Sequence, residues 1–407
     1  MGASIVLGFH SCVDFELQWD QKKFEDLIKS YHISDGELTL DLPVDSQENM
    51  VRILLAYMKQ GRGAEFTPST SSLCFDFSKH FHYKITVGGT ATRAAIALGQ
   101  LGYPTALSMV CCNRYIKERL PKEIQYYANT GEASEEVYPH VVFTYPGGAH
   151  IQANDIDFIT PRENRILFSK DRNSANMVIS QGFAPYLLQA RVMLISCFSE
   201  VMEEEILQKR MEEVNQLLTH LPPRAFVIFE DGCYIQKPFQ KAVHKALRKR
   251  LDALSMNEDE MQDYIQERID LSHPPSVAAA LASIYRQLQV PLLIVHSSRW
   301  AIAYGKQASR MTEALQGGIA LASTRFIYGD DYGQAEYQQT ALLPEREDSI
   351  SFCKELETLL PDCIAVPSKD LQFVKSPVVV GLGDCFAGGL LPALEKFAEK
   401  EGEMRES

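Results

Sequence analysis

The stretch that most constrains this chain lies near its C-terminal end, at residues 377–391, which read PVVVGLGDCFAGGLL. The β-branched run at 378–380 predicts a buried strand, and apolar residues at helical spacing over 390–397 predict a helix after it. Residues 381–384 form a glycine-rich turn between the two. Backbone N–H groups at such a helix start are unpaired, and small residues let a phosphate approach them.

Asp384 is the unusual residue in this turn, because its charge would repel a phosphate bound at Gly381 and Gly383. An aspartate beside the phosphate suits a base that takes a proton from an attacking hydroxyl. The alternative is an ordinary helix N-cap, a role that aspartate often fills. The turn by itself leaves both interpretations open.

Composition places the chain among globular proteins and narrows its partners. Its 407 residues suffice for one large domain and a smaller unit, and 45% hydrophobic with 23% charged residues is ordinary for such a chain. The formal net charge of −13 argues against a nucleic-acid partner, which needs a basic surface. The basic run at 237–250 is spaced as one amphipathic helix with a solvated face.

The spacing of the cysteines and the lengths of the apolar runs indicate the cellular compartment of the protein. The nine cysteines are scattered, and the close pair Cys111-Cys112 is adjacent, which does not match the spacing of a zinc clip. Free thiols in an acidic chain indicate a reducing cytoplasm. The sequence has no run of about 18 apolar residues, so no membrane span is predicted. Residues 1–8 read as a first strand and not as a leader peptide.

Short apolar runs alternate with amphipathic segments, which predicts an α/β fold with a mostly parallel sheet. The predicted strands lie at 5–8, 105–110, 192–196, 225–229, 254–256 and 291–296. Several are followed by polar residues, at the edge where open α/β sheets bind ligands. These polar residues are Asp14, Glu230, Asn257, Glu260 and His296.

Four of these five polar residues also have an ordinary structural explanation. Asp14 taken alone is better explained as a loop cap, and His296 fits a hydrogen-bonded histidine at a strand end. Asn257 and Glu260 have the spacing of a capping box. The same two residues share one side of a helix mouth, where their oxygens, with Glu230 as a third ligand, suit Mg²⁺ held through water.

Two further segments predict close contacts and a lid. Gly88 and Gly89 precede a helix of small residues at 91–101, which fits either tight helix–sheet packing or a phosphate or sugar contact. Residues 139–170 hold short strands at 140–145, 149–153 and 165–169 without helices between them. The first two strands read as a hairpin, so this segment predicts an inserted antiparallel sheet that covers an active site.

The order of these features resembles the ADP-dependent glucokinase and phosphofructokinase family of the ribokinase superfamily, over nearly the whole chain. Residues 257–260 match its N-x-x-E motif and residues 381–384 its G-x-G-D motif. Residues 228–230 keep the glutamate of its H-x-E motif but have isoleucine in place of the histidine. His10 stands where the family has an asparagine, four residues before the first sugar-binding aspartate.

The resemblance implies a sugar kinase that uses ADP as phosphoryl donor and Mg²⁺ as its metal. Asp384 would deprotonate a sugar hydroxyl, and the N–H groups around Gly381 and Gly383 would form the anion hole. The implied metal ligands are Glu230, Asn257 and Glu260. Phosphoryl transfer asks mainly for positioning and charge neutralisation, and this set of residues supplies both.

The resemblance also implies where the two substrates bind. The implied sugar ligands are Asp14, Gly88 and Gly89. In this family a lid glutamate after a glycine-rich turn favours glucose, while alanine there favours fructose 6-phosphate, and Glu65 in the segment 61–65 resembles that glutamate. The purine would rest on the segment 364–366, which includes Val366, and near His296. The nucleotide would also contact Asn257 and Gly381.

The expected function is therefore transfer of a terminal nucleotide phosphate to a glucose-like sugar, with small-molecule partners, a cytoplasmic location and a monomer or small homo-oligomer. One alternative is a kinase of a phosphorylated hexose such as fructose 6-phosphate, with ADP or ATP as donor. Another is a regulator that binds sugar or nucleotide without catalysis, which His10 and the missing motif histidine suggest. The intact G-x-G-D motif argues against a regulator.

The expected fold is a ribokinase-like three-layer sandwich with a discontinuous antiparallel lid. Residues 1–14, 88–137 and 171–407 are assigned to a large nucleotide-binding α/β domain. Residues 15–87 and 138–170 are assigned to the small lid domain. Closure of the lid would exclude water and limit wasteful hydrolysis of the nucleotide.

Overall fold

A nine-stranded sheet forms the centre of the chain. The computed structural model describes residues 2–128 and 136–406, with side chains to residue 400. The strands in this part of the chain are β1 (Ile5–Phe9), β2 (Cys12–Leu17), β3 (Ala64–Phe66), β4 (Tyr83–Gly88), β5 (Thr105–Met109), β6 (Ile124–Ala128), β7 (Pro139–Tyr145), β8 (His150–Ala153), β9 (Ile156–Ile159), β10 (Asn164–Phe168), β11 (Val192–Ser196), β12 (Phe226–Glu230), β13 (Ala253–Asn257), β14 (Leu292–His296), β15 (Trp300–Gly305) and β16 (Cys363–Pro367).

The large sheet has the strand order β16-β15-β14-β13-β12-β11-β1-β5-β6. Every neighbouring pair from β14 to β6 is parallel, while β15 runs antiparallel to both β14 and β16. The mostly parallel sheet predicted from the alternating pattern is confirmed. Strand β1 lies between β11 and β5, which come from different parts of the chain, and such a switch in strand order opens a crevice at the carboxyl ends of the strands.

Helices cover both faces of this sheet, as the burial of its strands requires. The helices are α1 (Gln21–Ser30), α2 (Gln47–Gln60), α3 (Ser71–Ser78), α4 (Thr90–Gln100), α5 (Arg114–Lys117), α6 (Arg172–Asn176), α7 (Ala184–Leu187), α8 (Glu204–Leu218), α9 (Lys237–Leu247), α10 (Glu258–Ile265), α11 (Pro274–Leu288), α12 (Thr312–Tyr328), α13 (Gln334–Ala341), α14 (Glu347–Leu359) and α15 (Leu382–Glu406). In β11, Met193 and Ile195 join one hydrophobic core, and Val192 and Leu194 join the other. Side chains of a strand alternate between its faces, so the two cores lie on opposite sides of the sheet.

A smaller sheet is built from strands that are distant in sequence, in the order β3-β10-β7-β2-β4. Its β2–β4 and β10–β7 pairs are antiparallel, and its β2–β7 and β10–β3 pairs are parallel. Helices α1, α2 and α3 share one hydrophobic core with this sheet, in which Phe24, Leu54 and Phe77 are fully buried. A separate two-stranded antiparallel sheet, β8–β9, packs beside α1. The residue boundaries of the two predicted domains stay a prediction.

The predicted strand at 378–380 is wrong. This segment is irregular, and its backbone groups are bound outside any sheet: Val378 N–H donates to Phe326 O at 3.1 Å, and Val380 O accepts from Arg325 Nε at 2.6 Å. Both partners belong to α12, so the segment lies along a helix. The β-branched composition indicated a strand, but the tertiary contacts decide the backbone conformation here.

The predicted hairpin between residues 140–145 and 149–153 is also wrong. Strand β7 pairs with β10 and β2, and β8 pairs with β9, which the apolar pattern did not reveal. Residues 146–149 turn the chain out of one sheet and into another. Among the described helices, none combines the length and apolar character needed to cross a membrane.

Candidate active site

Asp384 lies in the first turn of helix α15, which begins directly after Gly381. Gly381 has a φ of 76°, a left-handed conformation that favours glycine, and its carbonyl accepts the first helical hydrogen bond, from Cys385 N–H at 3.1 Å. Asp384 is therefore the third helical residue and not the N-cap. The N–H groups of this first turn have no partner within the helix and lie at its positive end, so they can bind an anion.

Two buried arginines pack against this turn. A Cβ atom added to Gly381 would lie 2.8 Å from Arg93 Nη1 and 3.1 Å from Arg325 Nε. Both arginines are less than a tenth exposed. The turn thus combines the N–H groups of a helix start with two guanidinium groups, a combination that can bind phosphate. Each guanidinium group also has a carboxylate partner: Arg93 contacts Asp14, and Arg325 Nη1 lies 2.6 Å from Asp330 Oδ1. A larger residue than glycine at position 381 would displace one of the guanidinium groups.

Arg93 joins Asp384 to Asp14. Its Nη2 lies 2.8 Å from Asp14 Oδ2, and its Nε lies 3.6 Å from Asp384 Oδ2. Burial lowers the pKa of Arg93, but the carboxylates of Asp14, Asp384 and Glu16 outweigh that effect and raise it above its ordinary value. The guanidinium group of Arg93 therefore lies between Asp384, the predicted base, and Asp14, the predicted sugar ligand.

Asp14 was predicted to follow the end of the first strand. In the structure it lies within β2 of the smaller sheet. The chain turns at His10 and Ser11 directly after β1 and continues as β2, so the two sheets meet at this point. Asp14 is in register with Thr86 of β4 and His140 of β7. It is therefore held by neighbouring strands on both sides and is not a loop cap.

Gly88 and Gly89 lie next to Asp14, and the space around them leaves no room for a side chain. A Cβ atom on Gly88 would lie 2.6 Å from Asp14 Oδ1, and one on Gly89 would lie 2.6 Å from His10 O. Gly89 also has a φ of 91°. Tight packing thus accounts for both glycines, and it brings the start of α4 against Asp14.

Carboxylates gather at the ends of β12 and β13. Glu230 is buried, and its Oε1 lies 2.9 Å from His296 Nε2, while its Oε2 has no hydrogen-bond partner among the described residues. The next residue, Asp231, is held through Oδ2 by Tyr264 Oη at 2.8 Å and by Gln240 Nε2 at 2.9 Å. Its Oδ1 is likewise buried and unpartnered in the described part of the chain.

Glu260 completes this acidic group. Its Oε2 accepts from Asn257 N–H at 2.9 Å, and Asn257 Oδ1 accepts from Glu260 N–H at 3.0 Å, which is the capping box given above as the structural explanation. Burial raises the pKa of Glu260 well above its usual value, and the charges of Asp231 and Glu230 add to the effect. Buried carboxylate oxygens without partners are the ligand type that a divalent cation needs, so the residues fit Mg²⁺.

His296 connects these carboxylates to helix α15. Its Nε2 binds Glu230, its ring stacks on Phe386 with 4.4 Å between ring centroids, and a Cβ atom on Gly383 would lie 3.4 Å from its Cε1. These contacts match the alternative given for His296 in the sequence analysis, a hydrogen-bonded histidine at the end of a strand. Val366 is buried on β16. Nucleotide contact by either residue stays a prediction.

Glu65 lies on β3, the edge strand of the smaller sheet, in register with Leu167 of β10. Its side chain reaches solvent, yet the protein around the carboxylate raises its pKa, and the charges of Arg165, His140 and Lys237 only partly offset that effect. Lys237 starts α9 beside the large sheet, so Glu65 is within electrostatic reach of both sheets.

A buried polar cluster beside Asp14 was not predicted. Glu200 Oε1 lies 3.7 Å from His10 Nε2 and 3.8 Å from His140 Nδ1, and His140 Nε2 lies 3.3 Å from Asp171 Oδ2. Burial lowers the pKa of His140, but Glu200 and Asp171 outweigh it and raise that pKa to about 10. Histidine and acidic residues spread over the chain gave no local motif for this cluster.

A comparison with protein families shows which family the chain belongs to. The family described as "ADP-specific Phosphofructokinase/Glucokinase conserved region" matches residues 3–341. The chain belongs to this family. As a member of the ADP-specific phosphofructokinase/glucokinase family it is a phosphotransferase that phosphorylates sugars, with ADP as the donor that the family implies. The matched region includes Asp14, Glu230 and Glu260 and ends before Asp384.

Solved structures share the fold over nearly the full chain of this family member. A hypothetical ADP-dependent phosphofructokinase from Pyrococcus horikoshii OT3 has 17% identity and a TM-score of 0.75, with 98% of this chain and 99% of that chain covered. An ADP-dependent kinase in complex with fructose-6-phosphate and ADPbetaS has 14% identity and a TM-score of 0.78, with 98% and 95% covered. The sequence matches none of the curated proteins compared with it.

Proposed function

We propose that the enzyme transfers the terminal phosphate of ADP to a hydroxyl of an uncharged, glucose-like sugar, with Asp384 as the base. The observation that carries this proposal is the position of Arg93, which contacts both Asp14 and Asp384. A sugar held by Asp14 would place its hydroxyl groups within reach of a base that lies beside a phosphate-binding turn. Proximity of acceptor, base and phosphate site is the main requirement of phosphoryl transfer.

In the proposed reaction the acceptor hydroxyl loses its proton to Asp384 Oδ as the oxygen attacks the terminal phosphorus. The bond from that phosphorus to the bridging oxygen breaks, and AMP leaves with the bond's electrons. N–H groups of the first turn of α15 and the guanidinium groups of Arg93 and Arg325 stabilise negative charge on the transferred group. Asp14 and the backbone at Gly88 orient the sugar.

Mg²⁺ is proposed to bind at Glu230, Asp231 and Glu260, with Asn257 shaping the turn that presents Glu260. The bound ion would neutralise charge on the nucleotide phosphates. Glu230 is the residue to test, because its Oε2 is buried without a partner among the described residues and its Oε1 is fixed by His296.

Glu230→Gln is expected to raise the Mg²⁺ concentration for half-maximal binding by roughly tenfold or more, because a charged oxygen ligand is replaced by an amide. Isothermal titration with Mg²⁺ and ADP measures this directly. The matched control is Asp252→Asn, at the other end of the same strands, where Oδ2 accepts from Val227 N–H at 2.8 Å. Equal Mg²⁺ affinity in wild type and Glu230→Gln would contradict the assignment.

The charge around Asp14 supports an uncharged acceptor. Carboxylates in this region outnumber the cations Arg93 and His140. The carboxylates are those of Asp14, Glu16, Glu65, Asp171 and Glu200. Of the two other cations near Glu65, Lys237 is paired with a carboxylate, with Nζ 2.7 Å from Asp263 Oδ2. Arg165 donates to a backbone carbonyl, with Nη1 3.3 Å from Val379 O, and keeps its positive charge, so five carboxylates face three cations. A second phosphate on the sugar would be repelled here.

Glu65→Ala is expected to raise KM for glucose by about 10–100-fold, the effect of losing one charge-assisted hydrogen bond. Turnover of fructose 6-phosphate is expected to improve relative to glucose, because a negative charge is removed from the cleft. Steady-state kinetics with both acceptors measures the ratio. Glu163→Ala, an exposed glutamate just before β10, is the control and should leave both acceptors unchanged. If the preference for glucose over fructose 6-phosphate is the same in Glu65→Ala and in the wild type, Glu65 does not determine the acceptor.

A coupled assay across ADP and ATP, with glucose and fructose 6-phosphate, tests the whole proposal. Fastest turnover with ADP and glucose is expected. Faster turnover of fructose 6-phosphate would favour the phosphofructokinase alternative, which the names of the similar structures suggest. A rise in melting temperature with sugar and ADP without turnover by any donor would favour the regulator.

A further inference from the structure

A thiol, a carboxylate and an imidazole meet on one face of the smaller sheet, in Cys12, Asp14 and His140. Cys12 and Asp14 are two residues apart on β2, so both point to the same face. His140 is in register with Asp14 on the neighbouring strand β7. Gly88 of β4 is opposite Cys12, and a Cβ atom on it would lie 2.5 Å from Cys12 Sγ, so glycine leaves this face open for the thiol.

The potential ligand atoms of these three residues are close together. One atom each from Cys12, Asp14 and His140 lies within 4.8 Å of the other two, and Cys12 Sγ is 3.5 Å from Asp14 Oδ1. Ligand atoms in a tetrahedral zinc site are about 3.5 Å apart, given bonds of about 2.0–2.3 Å. All three residues are buried, with 3%, 6% and 3% of their surface exposed.

The surrounding groups suit a cation bound by His140. Asp171 Oδ2 lies 3.3 Å from His140 Nε2, the arrangement in which a carboxylate accepts the second N–H of a metal-binding histidine. Nδ1 is then left for the cation, and Glu200 Oε1, 3.8 Å from it, offers a fourth ligand. Arg93 binds Asp14 through Oδ2, which leaves Oδ1 facing Cys12.

We propose that Cys12, Asp14 and His140 form a reversible site for a zinc-class divalent cation, and that zinc bound there excludes the sugar acceptor. Thiolate and imidazole ligands select Zn²⁺ over Mg²⁺, which prefers oxygen. Binding forms a Zn–S and a Zn–N bond, and any proton held by the Cys12 thiol or by His140 Nδ1 is released to solvent. Because the site shares Asp14 with the proposed sugar, the ion would compete with the acceptor and not serve as a permanent structural metal.

Zinc binding rests only on the three side chains and their surroundings. Competition with the acceptor rests on the proposed function, in which Asp14 holds the sugar. The tests therefore begin without sugar or nucleotide, on the full chain.

Cobalt reports the thiol ligand on the unaltered protein. Addition of Co²⁺ is expected to produce thiolate-to-cobalt charge-transfer absorption in the near ultraviolet, which one equivalent of Zn²⁺ abolishes. Cys12→Ser should remove this absorption, while the control Cys233→Ser, an exposed thiol near the cleft, should keep it. Absence of the band in wild type, or its persistence in Cys12→Ser, would overturn the site.

Thermal shift provides a second readout. Zn²⁺ at about a hundred times its Kd is expected to raise the melting temperature by roughly 3 °C or more, and the rise should be absent in Cys12→Ser and His140→Gln. Glucose should reduce the apparent zinc affinity in proportion to its own occupancy. Zinc binding unaffected by saturating glucose would overturn the competition, and failure of glucose to bind at all would count against the proposed acceptor while leaving the zinc site standing.

Discussion

Asp384→Asn is expected to lower kcat by roughly 10²–10⁴-fold, the contribution typical of a positioned general base. This corresponds to about 3–5 kcal/mol of barrier. The amide has nearly the same shape as the carboxylate, so the first turn of α15 and its anion-binding N–H groups should persist. ADP binding is therefore expected to remain close to that of the wild type, or to tighten slightly as a repelling charge is lost.

The measurement is ADP-dependent formation of sugar phosphate, with ADP affinity followed by isothermal titration on the same preparations. Asp348→Asn is the matched control, because Asp348 also lies in the first turn of a helix, α14, but pairs with Arg299 and Arg346 on the surface. It should retain wild-type turnover. An Asp384→Asn enzyme within threefold of wild-type kcat would show that some other group takes the proton.

Six strands of the central sheet, β1, β5 and β11 to β14, were predictable because they are buried along almost their whole length. Strands β6, β15 and β16 were missed, and β6 has exposed residues. Strand β11, Val192–Ser196, was predicted with its observed bounds, and each of its residues is buried against one of the two cores. Continuous apolar runs of this kind have few alternatives in an α/β chain. The run at 378–380 has the same composition but lies half-exposed along α12, and only the helix that binds its backbone explains the difference.

The smaller sheet was harder to predict because its pairings are non-local. Strand β2 immediately follows β1 but joins β4 and β7, some seventy and more than a hundred residues further along the chain. Local patterns identified β7, β8 and β10 as strands and gave the wrong partner for β8. Nothing in the spacing of residues 139–170 encodes which strand of the rest of the chain lies beside them.

The candidate site was predictable where a residue follows a strand end or a glycine turn, as with Glu230 and Asp384. Arg93 was missed, although it had a signal. It is the one charged residue of α4, TATRAAIALGQ, whose other residues are small, apolar or uncharged. When such a helix is buried, a single arginine in it needs carboxylate partners that balance its charge. Arg93 has three such partners, Asp14, Glu16 and Asp384.

Arg93→Ala is expected to have the second large effect, on stability as well as on catalysis. Its side chain is 5% exposed and that of Asp14 8%, so removal leaves buried carboxylates without their counter-charge. Breaking a buried ion pair from one side costs about 3–5 kcal/mol of the free energy of unfolding. Loss of the group that positions Asp14 and Asp384 should also lower kcat/KM by about 100-fold or more, measured per folded enzyme.

Urea denaturation and steady-state kinetics on the same samples separate the two effects, with Arg210→Ala as control. Arg210 is also buried, but it pairs with Glu213 at 2.6 Å on α8, away from the cleft. That variant should lose stability and keep the wild-type KM for the sugar. Arg93→Lys retains a charge yet lacks the planar fork that reaches both aspartates, so it should recover stability more than activity. Full activity in Arg93→Lys would mean that charge alone is needed at this position, and that Arg93 does not align the acceptor with the base.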